Sequence, residues 1–461
     1  MRFLRDRGMG ASILVAAISS AFGVVLLATI GYIGFITHTA FGDSGGAEIM
    51  LIIVGAVFIG IALYVSAIVT ANTFSTIVAG RTRQIALMRL IGSTASAERR
   101  RVAGQGLVVG AVGAVIGAAA ASVIAIVGTR IASDALDIPR DPSPVAAWMF
   151  VPLVAVVLTT WLAAWSGSRR VLAVRPAEAI GGSVDRSGEE LAGRRVRHVF
   201  AGIFGIIGVG LLALGIVAGL VSPVGLLIAF PGGLLSFTAL VMAAPVVMPP
   251  VLRLVGRVFG GSATARMAAA NAPRYPERSS RMAIGVVIGV TLVVMFGVAA
   301  ETFKSVMMAG VDADEAASIA LVLDILSSVM MALVGFSAVI AAVGLVNLLT
   351  IGVVQRRTEL GLLRALGLTT RQIRGMVMLE AVHIALASTA FGLVLGVAYG
   401  WVGAQSLGGA GMDGPVMVAP VIPWAPVVII VAAMAVLTLI ASVVPTRLAT
   451  RISPVEALVA E

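Results

Sequence analysis

Two stretches of the chain read alike: RTRQIALMRLIGST at residues 81–94 and RRTELGLLRALGLT at residues 356–369. In each stretch, arginines flank apolar residues that are spaced as in a helix. A glycine follows, and a threonine stands two residues after it. The glycines, Gly92 and Gly367, stand where a helix ends in a residue with positive φ. An arginine costs roughly 2.5–3.5 kcal/mol at the centre of a bilayer, so both stretches must lie outside it. We predict a short helix and a sharp turn, made twice.

A longer internal repeat contains both stretches. Asn72 to Gln105 aligns without gaps on Asn347 to Glu380. Residues 169–180 match residues 447–458 at a slightly different spacing. Two motifs that recur in the same order indicate a duplicated structural unit.

The residues after each turn can start the next helix. Thr369 and Gln372 are spaced to form a capping box, in which each side chain bonds the backbone of the other residue. Ala97 stands at the place of the glutamine in the first copy, so we expect an incomplete box there.

The composition places the rest of the chain in a membrane. Apolar residues make up 59% of the 461 residues and charged residues 12%, with a mean hydropathy of +1.07. An ordinary soluble domain carries about 25% charged residues, and runs of about 20 apolar residues span a bilayer. The ten predicted spans are residues 12–37, 49–73, 102–128, 146–167, 199–221, 224–250, 281–302, 323–353, 375–403 and 424–445.

We therefore predict an all-α polytopic membrane protein with ten transmembrane helices. Spans 1–4 and 7–10 form two four-helix repeats, and spans 5 and 6 form a central two-helix insertion with a tight turn at Ser222-Pro223. Corresponding spans are an even number of crossings apart, so the repeats are parallel, unlike the inverted repeats of many secondary transporters. The predicted domains are a first four-helix unit at 1–180, a cytoplasmic linker at 181–198, the insertion with a cytoplasmic connection at 199–280, and a second four-helix unit at 281–461.

The net charge of +10 follows the membrane topology and does not indicate a nucleic-acid partner. With the N-terminus in the cytoplasm, every basic residue except Arg130, Arg140 and Lys304 falls in a cytoplasmic segment, as the positive-inside rule requires. The first apolar run is too long for a cleaved signal peptide, whose apolar core has about 7–15 residues. We expect a multi-pass protein of a bacterial inner membrane with both termini in the cytoplasm.

The sequence contains no recognisable catalytic or metal site. It has no cysteine, and its three histidines occur in no metal-binding spacing. A phosphate-binding GxxxxGK[ST] loop needs a lysine, and the only lysine, Lys304, follows no such glycines. We expect a chain that is no enzyme, carries no cofactor of its own and draws its energy from a separate ATPase.

Two interpretations of the twin turns are open from the residues alone. The short helices could lie flat on lipid headgroups, as amphipathic helices do. Alternatively, they protrude and dock on a partner in the cytoplasm. The duplication favours docking, because two equivalent elements suit a dimeric partner.

The second turn, with the helix start Ser453-Pro454-Val455-Glu456 further along the chain, resembles the FtsX/MacB-like permease domain. The arrangement of ten spans in two such units is similar to that of antimicrobial-peptide-resistance (BceB-like) permeases. The resemblance implies a type VII ABC system, in which two copies of a separate ATPase hold ATP and Mg²⁺ beneath one permease chain. The residues that we expect to couple the permease to the ATPase are Arg81, Arg83, Arg89, Gly92, Arg356, Arg357, Glu359, Arg364 and Gly367.

The implied function is export or extraction of a hydrophobic or amphiphilic substrate. Permeases of this kind usually carry a large extracytoplasmic domain after the first span of a unit, whereas here the loops at 37–48 and 303–322 are short. Short loops favour a substrate taken from the bilayer. The alternatives are a non-transporting mechanotransmission subunit that regulates a cell-envelope enzyme or a sensor kinase, and an ATP-independent carrier or channel.

Small and polar residues within the spans complete the prediction. Small residues at every fourth position let helices approach closely in lipid; those expected to pack in spans 3 and 9 are Gly113, Gly117, Gly392, Gly396 and Gly400. Polar groups within a span are functional candidates by default; here they are Asn72, Asn347, Glu380 and His383. Glu380 and His383 share a helix face, and a hydrogen bond to a neighbouring helix is the ordinary role expected for such a histidine.

Overall fold

A computed structural model of the protein describes residues 9–41, 45–80, 82–136, 150–169, 188–257, 276–308, 367–411, 414–433 and 435–436. The chain divides into two compact units, which we call unit 1 (Met1–Val184) and unit 2 (Asp185–Glu461). The described residues are almost entirely helical, which confirms the predicted all-α class.

The described part of unit 1 consists of α1 (Met9–Phe41), α2 (Gly45–Gly80), α3 (Thr82–Leu90), α4 (Ala95–Leu136) and α5 (Val151–Gly167). The described part of unit 2 consists of α6 (Gly188–Gly219), α7 (Gly225–Gly256), α8 (Pro276–Met307), α9 (Thr370–Gly408) and α10 (Trp424–Ala433). Between α9 and α10, β1 (Ala410–Gly411) pairs antiparallel with β2 (Gly414–Pro415).

Six helical segments are long and apolar enough to cross a membrane, counting the described residues alone. They are Ser12–Phe35, Ala95–Ile131, Val196–Gly219, Gly225–Gly256, Met282–Met307 and Thr370–Gly408. Shorter apolar helices occupy Gly55–Ala71, Val151–Gly167 and Trp424–Ala433. Together these helices fall on every predicted span except the eighth, 323–353, which lies outside the described residues. The count of ten spans therefore stays a prediction.

The core of unit 1 lies where α1 packs on α4. The two backbones approach closely because α4 presents glycine there: a Cβ at Gly113 would come within 2.6 Å of the Ile13 carbonyl oxygen. A Cβ at Gly117 would overlap the Ala17 carbonyl, and buried Ala121 continues the same line of small residues. Small residues at such contacts replace the hydrophobic driving force that is missing between helices in lipid.

Hydrogen bonds cross the same contact between α1 and α4. Ser20 Oγ donates to the Ala114 carbonyl oxygen at 2.9 Å. Farther along, the hydroxyls of Tyr32 and Ser133 lie 2.9 Å apart. These bonds satisfy polar groups that would otherwise be buried at a cost.

The corresponding contact in unit 2 joins α8 and α9. A Cβ at Gly396 would come within 2.6 Å of Val294 Cβ, and one at Gly400 within 2.5 Å of the Met295 carbonyl oxygen. The predicted packing glycines of both repeats thus lie on the face of their helix that meets the first helix of the same repeat.

The two-helix insertion forms a hairpin of α6 and α7. The Gly225 amide donates to the Ser222 carbonyl oxygen at 3.1 Å, so the tight turn predicted at Ser222-Pro223 is confirmed. The hairpin is fixed to the other helices of unit 2 by polar contacts. Ser280 Oγ of α8 donates to the Ala244 carbonyl oxygen of α7 at 3.0 Å.

An extended segment after α9 is tied to the ends of α8 and α9. The Trp401 indole N–H and the Gln405 amide both donate to the Val418 carbonyl oxygen, at 2.7 and 3.2 Å. The Val421 amide donates to Thr302 Oγ1 on α8 at 3.0 Å. This segment therefore holds the two helices together at one end of unit 2.

Replacing Gly392 by leucine is expected to disrupt the contact between α8 and α9. The first added carbon would already lie 2.9 Å from Val290 Cβ and 3.2 Å from the Val287 carbonyl oxygen. Overpacking of this kind costs about 1–3 kcal/mol. We expect a lower monodisperse yield in detergent and a lower midpoint of thermal unfolding.

Gly403→Leu is the matched control on the same helix, because no atom lies within 4 Å of a Cβ at Gly403. It should keep the yield and the unfolding midpoint of the unmodified protein. Equal behaviour of Gly392→Leu and Gly403→Leu would contradict the close-packing argument.

Candidate functional site

The predicted coupling residues fall in two places, one at each turn. In unit 1, Arg83 and Arg89 lie on α3 and Gly92 follows it, and Arg89 is half-buried. In unit 2, Gly367 precedes α9. The other predicted coupling residues lie outside the described residues: Arg81, Arg356, Arg357, Glu359 and Arg364.

The turn after α3 has the complete hydrogen-bond pattern of a Schellman motif. The Ser93 amide donates to the Met88 carbonyl oxygen at 2.9 Å, and the Gly92 amide donates to the Arg89 carbonyl oxygen at 3.2 Å. Gly92 has a φ of +103°, which a glycine adopts without strain. The Met88 and Arg89 carbonyl oxygens at the end of α3 are therefore hydrogen-bonded by backbone amides of the turn, as in a Schellman C-cap.

The second turn repeats the same backbone conformation at its glycine. Gly367 has a φ of +97°, so the positive φ predicted at Gly92 and Gly367 is confirmed in both copies. No atom lies within 4 Å of a Cβ at either glycine. Glycine is required there by the backbone angle, since there is room for a larger side chain.

Each turn leads directly into a capped helix. Thr369 caps α9: the Gln372 amide donates to Thr369 Oγ1 at 3.3 Å, and the Thr369 amide donates to Gln372 Oε1 at 2.9 Å. The predicted capping box is thereby confirmed. At α4 the Ala97 amide donates to Thr94 Oγ1 at 3.2 Å, and no side chain at position 97 can return the bond.

The short helix α3 has one buried and one exposed side. Ile85 and Ala86 are buried against Val78 of α2, with Val102 of α4 packed on the same cluster. On the other side Leu87 and Leu90 are exposed, and Ile91 at the turn is 80% exposed. The anchored side fixes α3 to its own unit, and the exposed side presents apolar side chains.

A contact that the repeat does not predict holds the start of α4. The Arg99 guanidinium lies 3.7 Å from the centroid of the Trp165 ring and donates from Nε and Nη2 to the Trp165 carbonyl oxygen at 3.4 and 3.3 Å. A cation over an indole face is attracted by the ring quadrupole. Three arginines stand at residues 99–101, but nothing in the sequence pairs any of them with Trp165.

The polar residues predicted within the spans are only partly described. His383 is fully buried on α9, and its Nε2 donates to the Leu252 carbonyl oxygen of α7 at 2.7 Å. Glu380 lies one turn earlier on α9 and is also buried. His383 therefore has the ordinary role expected for it, a hydrogen bond between helices. Asn347 lies outside the described residues, and the side chain of Asn72 is not described.

No group of three or more His, Asp or Glu side chains in the part of the chain that the structure describes could hold a metal ion. In unit 1, the short helix α3, anchored on one side, is joined to the long helix α4 through a turn that its own backbone hydrogen bonds close.

Replacing Gly92 by alanine is expected to loosen the first turn without a steric clash. The left-handed backbone conformation costs a residue with a Cβ about 1–2 kcal/mol of free energy. This cost corresponds to about tenfold more frequent local opening of the turn. The measurement is hydrogen–deuterium exchange, followed by mass spectrometry, of a proteolytic peptide that contains Gly92 and Ser93. Gly104→Ala, in open space within α4, should leave this exchange unchanged. Unaltered protection in Gly92→Ala would contradict the assignment of a left-handed backbone at Gly92 that requires glycine.

The comparison with protein families agrees with this geometry. The family model of the FtsX-like permease C-terminal domain matches residues 56–172 and 331–454, which together make up more than half of the chain. Each match contains one of the two glycine turns. No curated protein matches the chain. The chain belongs to the FtsX-like permease family, the non-catalytic, multi-pass membrane subunits of ABC transporters that work with an ABC ATPase.

Proposed function

We propose that this permease couples ATP hydrolysis on two separate ATPase subunits to the export or extraction of a hydrophobic or amphiphilic molecule. The observation that carries the proposal is the glycine turn, which has the same backbone conformation at Gly92 and at Gly367. Each turn stands in one of the two family-matched segments. Two equivalent turns suit a dimer of ATPase subunits, one beneath each turn.

The exposed side of α3 is the proposed docking surface in unit 1. Leu87, Leu90 and Ile91 are exposed beside an arginine-rich segment. Apolar anchors flanked by arginines are typical of the centres of protein interfaces. A helix that merely rested on headgroups would need no stiff turn to α4. The Schellman turn instead favours a role in which α3 passes displacement to α4.

The orientation follows from the charges. Arginine-rich segments lie in the cytoplasm by the positive-inside rule, so α3 and both termini are cytoplasmic in the proposed topology, in a bacterial inner membrane. ATP and Mg²⁺ bind to the partner ATPase, and this chain contributes no cofactor. The finer relationship that we propose is to the BceB-like permeases, whose ten-span arrangement is the one predicted for this chain.

The connection between α1 and α2 supports a substrate taken from the bilayer. Only residues 42–44 separate Phe41, the last residue of α1, from Gly45, the first residue of α2. A connection of this length cannot hold a folded domain that captures a protein outside the membrane. An amphiphile already in the bilayer needs no such domain.

Co-purification with the ATPase tests the proposal directly. We expect an ATPase with a GxxxxGK[ST] loop to be isolated with the permease, at two copies per chain by native mass spectrometry. Transport of an amphiphile by the permease alone in proteoliposomes would contradict the proposal. ATP-dependent control of a sensor kinase without any movement of substrate would establish the mechanotransmission alternative instead.

Charge reversal at the turns should uncouple the ATPase. In Arg89→Glu and Arg364→Glu, like charges would replace attractive pairs at the interface, and we expect ATPase stimulation by the permease to fall roughly tenfold. Insertion, measured as the yield of membrane-extracted protein, should not change.

Arg130→Glu is the matched control, because Arg130 is exposed near the opposite end of α4. It should leave the ATPase rate unchanged. Full ATPase stimulation in both turn variants would contradict docking at the turns, and an equal loss in Arg130→Glu would indicate a general effect of charge.

A further inference from the structure

Each glycine turn leads to a threonine that caps the helix after it. Thr94 caps α4 and Thr369 caps α9, because each hydroxyl accepts a hydrogen bond from the amide of the third helical residue. The residue before such a cap often packs against the fourth residue of the helix, and an apolar pair there, called a hydrophobic staple, fixes the angle at which the chain enters the helix. These two positions hold Ser93 and Glu98 in unit 1, and Leu368 and Ile373 in unit 2.

In unit 2 the two positions form an apolar contact. Ile373 is completely buried in a cluster with Met376 and Val377, and Leu368 packs against this cluster. This is the pattern of a hydrophobic staple, and we call Leu368 and Ile373 the apolar staple. It holds the residue that follows Gly367 against the start of α9.

In unit 1 the same two positions form a hydrogen bond. Ser93 Oγ donates to Glu98 Oε1 at 2.9 Å, and both side chains are partly buried. We call Ser93 and Glu98 the polar staple. The ungapped alignment of the repeat pairs Ser93 with Leu368 and Glu98 with Ile373, so the contact has the same place in both units and a different chemistry. A hydrogen bond to a carboxylate is stronger than one between neutral groups, which suits a contact that water can reach.

Ser93 connects α3 with α4 through two different groups. Its amide donates to the Met88 carbonyl oxygen of α3 at 2.9 Å, and its hydroxyl donates to Glu98 of α4. The next residue of α4, Arg99, donates to the Trp165 carbonyl oxygen of α5. The start of α4 is thus bonded both to the turn and to α5.

We propose that Ser93 and Glu98 are positioning residues for the coupling of the ATPase to unit 1. They fix the angle between α3 and α4, so that a displacement of α3 becomes a movement of α4. Leu368 and Ile373 fix the entry into α9 in unit 2. This inference deepens the proposed function and rests on it, because the ATPase supplies the displacement.

Hydrogen–deuterium exchange of the full-length chain in lipid nanodiscs tests the polar staple without the ATPase. In Ser93→Ala and in Glu98→Ala, the backbone of residues 93–98 should open about fivefold more often, as expected for the loss of one hydrogen bond. Glu98→Gln keeps a carbonyl oxygen as the acceptor and should retain most of the protection. Ser122→Ala is the matched control, because its hydroxyl bonds within α4 to the Ala118 carbonyl oxygen; it should leave the exchange of residues 93–98 unchanged.

Moving the apolar staple into unit 1 separates positioning from direct contact with the ATPase. The double variant Ser93→Leu/Glu98→Ile should regain the protection that Glu98→Ala loses, whereas Ser93→Leu alone should not. With the co-purified ATPase bound, Ser93→Ala and Glu98→Ala should lower the kcat of stimulated ATP hydrolysis about threefold, with the KM for ATP unchanged, since the staple acts after ATP has bound. The double variant should restore kcat.

Unchanged exchange in both alanine variants would overturn the polar staple, and failure of the double variant to regain protection would overturn the equivalence of the two staples. A double variant with restored exchange and a low kcat would overturn the positioning role, because Glu98 would then act by touching the ATPase itself. If no ATPase binds the permease, the proposed function fails and the coupling role with it. The exchange of the alanine variants decides separately whether the polar staple holds the turn.

Discussion

The close approach of two helix backbones in each repeat is the constraint on which the rest of the structure depends. In lipid, apolar side chains gain nothing by leaving one apolar environment for another, so α1 and α4 associate through dispersion contacts and a few hydrogen bonds. Those contacts require that no side chain separates the backbones, which is why Gly117 meets the Ala17 carbonyl directly. The contact of α8 with α9 has the same basis at Gly396 and Gly400. Larger residues would separate these helix pairs.

Because α1 and α4 pack closely, a movement of the glycine turn at Gly92 acts on helices that are held together. The Schellman bonds at Gly92 leave α3 little freedom relative to α4, and Arg99 ties the start of α4 to Trp165 of α5. In the proposed cycle, a displacement of α3 by the ATPase therefore moves α4 together with the helices that pack on it. A flexible linker at the same place would absorb the displacement.

The features that the sequence predicted well are those determined by local backbone chemistry. Positive φ at Gly92 and Gly367 and the cap at Thr369 depend on residues within a few positions of one another, so a single stretch of sequence contains the information. The bond between Ser236 and Tyr399 and the contact of Arg99 with Trp165 were not predicted, because each depends on where the tertiary fold places a residue far away in the chain. The predicted spans also do not give the lengths of the helices: α4 continues to Leu136, past the span end predicted at residue 128, since hydropathy marks the apolar part of a helix and not its last hydrogen bond.

Duplication made the two repeats similar, and their differences lie at positions where α4 and α9 contact different neighbouring helices. The glycines that face α1 and α8 correspond because both contacts need a close approach. The adjacent face has diverged: α9 has His383 and Tyr399, which bond to the hairpin, whereas α4 has Val108 and Ile124 at the equivalent positions. A polar group that faced lipid at those positions of α4 would have no partner and would be costly, and a valine at position 383 would leave the hairpin without one of its anchors. If both turns receive the same displacement from a symmetric ATPase dimer, the repeats must respond differently, because the hairpin braces α9, whereas Val108 and Ile124 of α4 are exposed.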